Sequence, residues 1–147
     1  MARSQNTLQD VYEFSCEIPL RISDINYAGH VDNSRILSLA HEARAKAFFE
    51  LGFSEIDFGD GKTGMVVADI TANLKAEIFL GDKVVIKTHI DEMAEKSLRV
   101  FHCVEANGRV AALVESGLVA FDFKARTVSA IPEIFREKLS AYVAEKC

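Results

Sequence analysis

Hydrophobic and polar residues alternate along residues 11–22, where the regular pattern of the chain begins. The apolar positions fall on one face of an extended segment, and Glu13, Glu17 and Arg21 fall on the other. A period of two residues is typical of a strand with one buried face. Pro19 removes one backbone donor from this segment, which favours an edge position in a sheet or a bulge.

A helical pattern follows over residues 34–51. Apolar residues recur there at steps of three and four, at Ile36, Leu39, Ala40, Ala43, Ala47 and Leu51. This spacing places them on one stripe of a helix. Asp32, Asn33 or Ser34 can cap the start, and Gly52 is suited to the end. We predict one long helix whose small buried residues let another surface approach closely.

The rest of the chain predicts four further strands and a terminal helix. The strands cover residues 65–79, 83–91, 97–106 and 109–123. Alternate residues of the first segment form an apolar face predicted to pack against the long helix. The last segment is apolar on both faces, which indicates a strand inside the sheet. Asn107-Gly108 favours a type I′ hairpin turn, and Pro132 opens a helix that ends near Lys146.

This order of elements predicts an α+β fold. A twisted antiparallel sheet wrapped around one long helix buries the apolar faces described above. The chain has 147 residues, which suits a single domain over residues 11–147 after a polar N-terminal segment of residues 1–10. The strands that are apolar on both faces also indicate packing against a second copy, so we expect an oligomer.

Composition excludes several classes of protein. The net charge of −5 provides no concentrated basic surface for nucleic acid. Three cysteines, Cys16, Cys103 and Cys147, lack the spacing of a zinc site and suit a reducing compartment. No segment is apolar enough for a membrane span, and no signal-peptide core is present. We therefore expect a soluble cytoplasmic protein with neither nucleic acid nor membrane as a partner.

Residues 59–64 match the glycine spacing GxGxxG, but their context does not suit dinucleotide binding. That function needs a strand before the glycines and a helix N-terminus after them. Here a polar segment precedes and a strand follows, so we predict a flexible loop. His41, His89 and His102 lack the spacing of metal ligands, so we expect neither a metal ion nor a cofactor.

The segment DINYAGHVDN, residues 24–33, carries the candidate chemistry. It is rich in turn-forming residues and ends where the long helix begins. Unpaired amides at a helix start carry partial positive charge and can polarise a carbonyl or hold an oxyanion. His30 lies within one turn of that start and can exchange a proton near neutral pH. By chemistry alone, a simple loop with a capping residue explains the segment equally well.

Residues 23–52 resemble the signature of hotdog-fold acyl-CoA thioesterases of the 4-hydroxybenzoyl-CoA thioesterase type. Members typically show an Asp-x-Asp pair, a Gly-His-Val-Asn-Asn element and a helix containing Glu-Ala-Arg, which Glu42-Ala43-Arg44 matches. The similarity continues through Gly81-Asp82 to Ile131-Pro132-Glu133, and so covers most of the chain. Arg44 lies at the edge of the apolar stripe, where we expect it to pair with a carboxylate rather than contact substrate.

The resemblance implies a hotdog fold and a homodimer, often paired again into a tetramer. It further implies hydrolysis of an acyl-CoA thioester to a free acid and coenzyme A at the subunit interface. The backbone N–H of Asn33 would hold the thioester carbonyl. Residues expected to contact the substrate are Asp24, Tyr27, Gly29, Lys75, Lys96, Ser97 and Arg99, with the three cations near the coenzyme A phosphates.

Position 26 departs from the family pattern. The family's catalytic Asp, the second of the pair, aligns with Asn26, whose amide cannot act as a base at neutral pH. Asn26 can still orient a water or the carbonyl, and His30 or Glu42 would then serve as the base. One alternative is a protein that binds acyl-CoA or acyl-carrier-protein thioesters with little turnover. A third, ranked last, is dehydration of a hydroxyacyl thioester.

Overall fold

The structure, a computed structural model, describes residues 5–146; Met1 to Ser4 of the predicted N-terminal segment and Cys147 lie outside the described residues. The elements are β1 (Phe14–Ile18), a short 3-10 helix (Ile22–Asp24), α1 (Asn33–Glu50), β2 (Thr63–Leu74), β3 (Val84–Asp91), β4 (Ser97–Ala106), β5 (Arg109–Asp122), β6 (Thr127–Val128) and α2 (Glu133–Lys146). The predicted order of helices and strands is confirmed, and the two-residue β6 is an addition that no pattern indicated. Within the described range, no helix is long and apolar enough to cross a membrane.

The strands form one antiparallel sheet in the order β1-β3-β4-β5-β2, with β6 paired to β5. β1 lies at an edge, as Pro19 predicted, and β5 lies inside the sheet, as its two apolar faces predicted. Asn107 and Gly108 join β4 to β5 with φ angles of 52° and 81°. Positive φ at both positions is the requirement of a type I′ turn, which confirms that prediction.

The helix α1 packs across one face of this sheet. The predicted stripe is buried throughout, at Ile36, Leu39, Ala40, Ala43, Ala47 and Leu51. Its first half joins a cluster with strand residues such as Ile86, Val104 and Ala112. A second cluster contains Phe48, and there the Phe58 and Phe135 rings stack with centroids 4.2 Å apart. The prediction of a sheet wrapped around one long helix is therefore confirmed.

The first strand differs from its prediction in length and in one buried carboxylate. β1 ends at Ile18, since Pro19 cannot donate to the ladder. Glu13, predicted on the polar face, is buried. The Ile90 N–H donates to its carboxylate at 3.0 Å, and His89 Nδ1 lies 2.8 Å from the other carboxylate oxygen. These two partners offset the cost of removing the carboxylate from water.

The apolar face predicted for residues 65–79 is only partly buried within one chain: Ile78 is buried, and Ala72 and Ala76 pack against the cluster that contains it. β2 ends at Leu74, and a bulge between Val67 and Asp69 shifts the alternation. Side chains before and after the bulge therefore point to opposite faces. Val67, Ile70 and Leu74 remain 41%, 44% and 50% exposed, because β2 is the last strand of the sheet. One edge strand of the sheet thus exposes apolar side chains, and Asn6 Nδ2 donates to its Thr71 carbonyl at 2.9 Å.

Candidate active site

The loop that precedes α1 is held together by its own backbone. The Asn26 N–H donates to the His30 carbonyl at 2.9 Å, and the Gly29 N–H donates to the Asn26 carbonyl at 3.0 Å. Gly29 has a φ of 92°, a conformation that a glycine adopts without strain. This tight turn orients His30 at the start of the helix.

Asp24 anchors the other side of the same loop. Its carboxylate accepts a hydrogen bond from the Arg21 N–H at 2.9 Å. Its carbonyl accepts one from the Asp32 N–H at 3.0 Å. In this structure Asp24 therefore fixes the position of the helix start.

The first amides of α1 differ in whether they have an acceptor. Asp32 caps the helix by accepting from the Ser34 N–H at 3.2 Å and from the Ser34 hydroxyl. The hydrogen bond from the Ser34 hydroxyl, and to a smaller extent the one from the Ser34 amide, holds the pKa of the Asp32 carboxyl below its usual range. The Arg35 N–H donates to the Asp32 carbonyl. The Asn33 N–H has no acceptor within the described part of the chain, and it carries the partial positive charge of a helix start.

The loop is fastened to the connection between β2 and β3. The Val31 N–H donates to the Ile78 carbonyl at 2.7 Å, and His30 forms a β-bridge with Phe79. This pairing brings His30 beside Glu77, with 3.9 Å between Nε2 and Oε1. Two segments far apart in the sequence thus meet at the start of α1.

A half-open cavity of about 240 Å³ lies between the helix start and this connection. His30, Asn33, Lys75 and Glu77 supply its polar wall, and Ile36 and Leu74 supply apolar surface. Its volume is below the roughly 300–1,000 Å³ of a typical small-molecule site. Leu74 belongs to the edge strand β2, so the cavity borders that edge of the sheet.

The tautomer of His30 follows from its neighbour. Nδ1 lies 3.1 Å from the Val31 carbonyl oxygen. Because a carbonyl oxygen only accepts, the proton of the neutral ring is on Nδ1 and the lone pair is on Nε2. That lone pair faces the Glu77 side of the cavity and is available to take a proton.

Comparison with known proteins identifies the family. Residues 20–139 match the model of the thioesterase-like superfamily. The chain belongs to this superfamily. No curated protein matches it at a significant level.

Solved structures of thioesterases share the whole domain. A thioesterase from Thermus thermophilus, crystallised with coenzyme A and zinc, is 28% identical, with 91% of this chain and 97% of that chain covered and a TM-score of 0.77. The gentisyl-coenzyme A thioesterase BH1999 is also 28% identical. The match covers 84% of this chain and 98% of that chain, with a TM-score of 0.75. A predicted thioesterase from Bacillus stearothermophilus is 25% identical, covering 88% and 95%, with a TM-score of 0.77. The predicted hotdog fold and thioesterase family are confirmed.

The thioesterase brings together three of the residues that the sequence singled out. His30, Asn33 and Lys75 all line the cavity. Asn26 does not, because its side-chain oxygen accepts from the Ala28 N–H at 3.0 Å within the loop. The roles of all four in catalysis or binding stay predictions.

Glu42 and Tyr27 lie apart from that cavity. Glu42 is exposed on α1, 3.5 Å from Lys46 Nζ, and borders a separate depression with Asp24 and Arg35. Tyr27 is fully exposed at the tip of the loop. Neither side chain touches the His30 cavity within one chain, so any contact with substrate would need a different binding geometry.

The remaining substrate candidates lie at the start of β4. Lys96 is exposed and Ser97 is half-buried. The Arg99 guanidinium donates to Asp69 at 2.6 Å and also to Glu115. The hydrogen bond with Asp69 contributes most to raising the pKa of Arg99, and Glu115 raises it further. Its charge is therefore already paired within the chain, and a coenzyme A phosphate would have to displace a carboxylate.

The loop that contains the GxGxxG spacing is ordered by two aspartates. Asp57 accepts from the Gly59 and Gly61 amides, each at 2.9 Å. Asp60 accepts from the Thr63 amide at 2.7 Å. Amides that would have to face a phosphate are thus engaged by carboxylates. The predicted loop is present but ends two residues earlier than predicted, because β2 begins at Thr63, and local side-chain hydrogen bonds hold its conformation.

Reasoning from the sequence missed Glu77. It stands among alternating residues of the predicted 65–79 strand, where a solvent-facing carboxylate is the ordinary expectation. Only the bridge between His30 and Phe79 places it in the cavity wall. Nothing in the spacing of the two segments indicates this pairing.

Proposed function

We propose that this thioesterase hydrolyses an acyl-CoA thioester in the cavity at the start of α1. One observation carries the proposal: the Asn33 N–H, which has no acceptor among residues 5–146, and the His30 imidazole share that cavity. The Asn33 amide would receive the thioester carbonyl oxygen, whose negative charge grows during attack. A donor fixed in place by the helix stabilises the transition state more than the ground state.

The cation in the cavity wall suits the coenzyme A part of the substrate. Lys75 is exposed where the cavity opens, so its ammonium group can meet a phosphate without being desolvated. One similar thioesterase binds coenzyme A in its crystal structure, and another is a gentisyl-coenzyme A thioesterase. Both support a coenzyme A thioester as the substrate class.

We infer that a second copy of the chain covers the β2 edge and completes the site. The edge strand β2 exposes the apolar side chains of Val67, Ile70 and Leu74. Such an edge is normally paired or shielded in native proteins. The cavity lies beside Leu74 and is too small for an acyl-CoA, so a partner chain would supply its missing wall.

One alternative function rests on position 26. A chain without the family's loop carboxylate can hold an acyl thioester and fail to hydrolyse it. The protein would then bind acyl-CoA or acyl-carrier-protein thioesters as a carrier or sensor. Turnover, rather than binding, distinguishes the two.

Thiol release from a panel of short, long and aromatic acyl-CoAs tests the proposal. We expect the parent protein to release thiol and His30→Asn to lose about 10²–10⁴ in rate, the range of a general base. His41→Asn is the matched control, since His41 is exposed on α1 and outside the cavity. If no panel member releases thiol while an acyl-CoA raises the melting temperature, the binding alternative is correct.

A further inference from the structure

We propose that Glu77 supplies the carboxylate of this active site and holds the attacking water together with His30. This inference rests on the proposed hydrolysis of an acyl-CoA. It assigns the role left open by Asn26 to a residue on the connection between β2 and β3.

The geometry at His30 points to a bridging water. Nε2 of the neutral ring and Oε1 of Glu77 are both acceptors, and they lie 3.9 Å apart. That distance is too long for a direct hydrogen bond, and in the Nδ1–H tautomer both Nε2 and the carboxylate oxygen accept. A water about 2.8 Å from each atom fits between them and donates one O–H to each. Its lone pairs are then free to attack.

The position of Glu77 is fixed by the backbone. The hydrogen bond from the Val31 N–H to the Ile78 carbonyl and the bridge between His30 and Phe79 pair the two segments directly beside Glu77. The Glu77 side chain is 63% exposed and that of His30 is 25% exposed, so solvent reaches the gap between them.

The charged residues around His30 and Glu77 favour a role for Glu77 in holding the attacking water. Lys75, on the same connection, lines the same cavity, so the wall holds one cation and one carboxylate beside the imidazole. As His30 takes a proton, the Glu77 carboxylate stabilises the imidazolium that forms. Glu42, the other candidate carboxylate, faces Lys46 at 3.5 Å and borders a different depression.

The reaction that follows is a balanced hydrolysis. The water oxygen bonds to the thioester carbon while one of its protons moves to His30 Nε2, and the carbonyl oxygen becomes an oxyanion at the Asn33 N–H. Collapse of the tetrahedral intermediate breaks the C–S bond. The thiolate takes the proton from Nε2 and leaves as coenzyme A thiol, and the acyl group leaves as the acid. Glu77 remains ionised throughout.

Steady-state kinetics of the full chain, with the acyl-CoA that the parent hydrolyses fastest, test the assignment. We expect Glu77→Gln to lower kcat by about 10²–10³ and to change KM by less than about threefold. Glu77→Asp keeps the negative charge, so its kcat should be at least about tenfold higher than that of Glu77→Gln. The double variant His30→Asn with Glu77→Gln should be no more than about threefold slower than the slower single variant, because both groups act on one water.

Glu17→Gln is the matched control, since Glu17 is an exposed carboxylate on β1 and should leave kcat unchanged. Melting temperatures of all variants exclude loss of fold. A Glu77→Gln variant with the parent kcat, or with only a raised KM, overturns this assignment and leaves the proposed function standing. A parent protein that releases thiol from no acyl-CoA overturns both.

Discussion

The side-chain oxygen of Asn26 accepts a hydrogen bond from the Ala28 backbone N–H at 3.0 Å. The Asn26 side chain is also among the groups that hold the pKa of Asp32 low, after the Ser34 hydroxyl and the Ser34 amide. Both ends of the Asn26 side chain are therefore engaged within the loop. In this structure the Asn26 side chain therefore stabilises the loop.

We expect Asn26→Asp to give no gain of activity. The new carboxylate would accept from the Ala28 N–H and lie close to the negative charge of Asp32, away from the His30 cavity. Its kcat should stay within about threefold of the parent value, and the like charges should lower the free energy of unfolding by about 0.5–1 kcal/mol. Thiol-release kinetics and urea unfolding measure the two effects. A tenfold or larger gain would instead assign the chemistry to position 26.

His102 gives the stability of the fold a dependence on pH. It is buried in the core, where Thr88 Oγ1 lies 2.9 Å from its Nδ1. Burial, and then the charge of Arg44, lower the pKa of His102 to about 3. The native ring is therefore neutral, while the unfolded chain binds a proton below its ordinary pKa of about 6.5. Stability from this group is full above about pH 6.5 and is lost as the pH falls toward 3.

We expect His102→Gln to flatten this dependence. A single proton taken up on unfolding lowers the free energy of unfolding by about 1.4 kcal/mol per pH unit below about 6.5. Urea unfolding of both proteins at pH 5, 6 and 7 measures the slopes, and titrating groups elsewhere contribute to both. If the free energy of unfolding changes equally steeply with pH in both proteins, burial does not keep His102 neutral in the folded state.

Gly64 is expected to be one of the least replaceable glycines. A Cβ there would lie 2.1 Å from the Glu55 carbonyl oxygen and 2.5 Å from the Ile56 Cα, both backbone atoms. We expect Gly64→Ala to lower the free energy of unfolding by about 2–3 kcal/mol, since the backbone must move. In Gly117→Ala the nearest atoms are the side-chain ends of Asp69 and Arg99, so the loss should stay below about 1 kcal/mol. Equal losses on denaturant unfolding would contradict this distinction.

Arg44 should matter more to stability than its neighbour on the same helix. Its buried guanidinium lies 3.3 Å from the Glu55 carboxylate, which confirms the predicted pairing with a carboxylate. We expect Arg44→Met to cost about 1–3 kcal/mol of unfolding free energy, because the partly buried Glu55 carboxylate loses its buried partner and keeps only the exposed His41, 3.1 Å away. Lys46→Met removes an exposed pair with Glu42 and should cost less than about 0.5 kcal/mol. Chemical denaturation of both variants tests the difference, and a similar loss in the two would refute it.

The β2 edge makes a prediction about assembly. Ile70 is 44% exposed on that edge, and Ile70→Glu places a charge where a second copy would pack. We expect the parent to be at least a dimer by light scattering and Ile70→Glu to shift toward the monomer. Val128→Glu is the control, because Val128 is 48% exposed on β6 at a different part of the sheet. A monomeric parent would remove the inferred partner.

Local features of the fold could be predicted because their causes are local. The stripe of α1 from Ile36 to Leu51 follows from helical spacing, and the Asn107-Gly108 turn follows from the backbone freedom of two adjacent residues. The loop before α1 was identifiable as the candidate site for the same reason, since its turn formers and helix start are contiguous. Residues close together in the sequence are enough to predict these features.

The sequence by itself determined the order of elements, the helix stripe and the location of His30 at a helix start. Only the tertiary structure decided that Glu13 is buried, that β2 exposes apolar side chains at the edge of the sheet and that Glu77 lies beside His30. Alternation separates the two faces of a strand, but it does not say which face or edge is covered by distant parts of the chain. Those contacts depend on strand register and on the bulge in β2, which are set when the whole sheet assembles around α1.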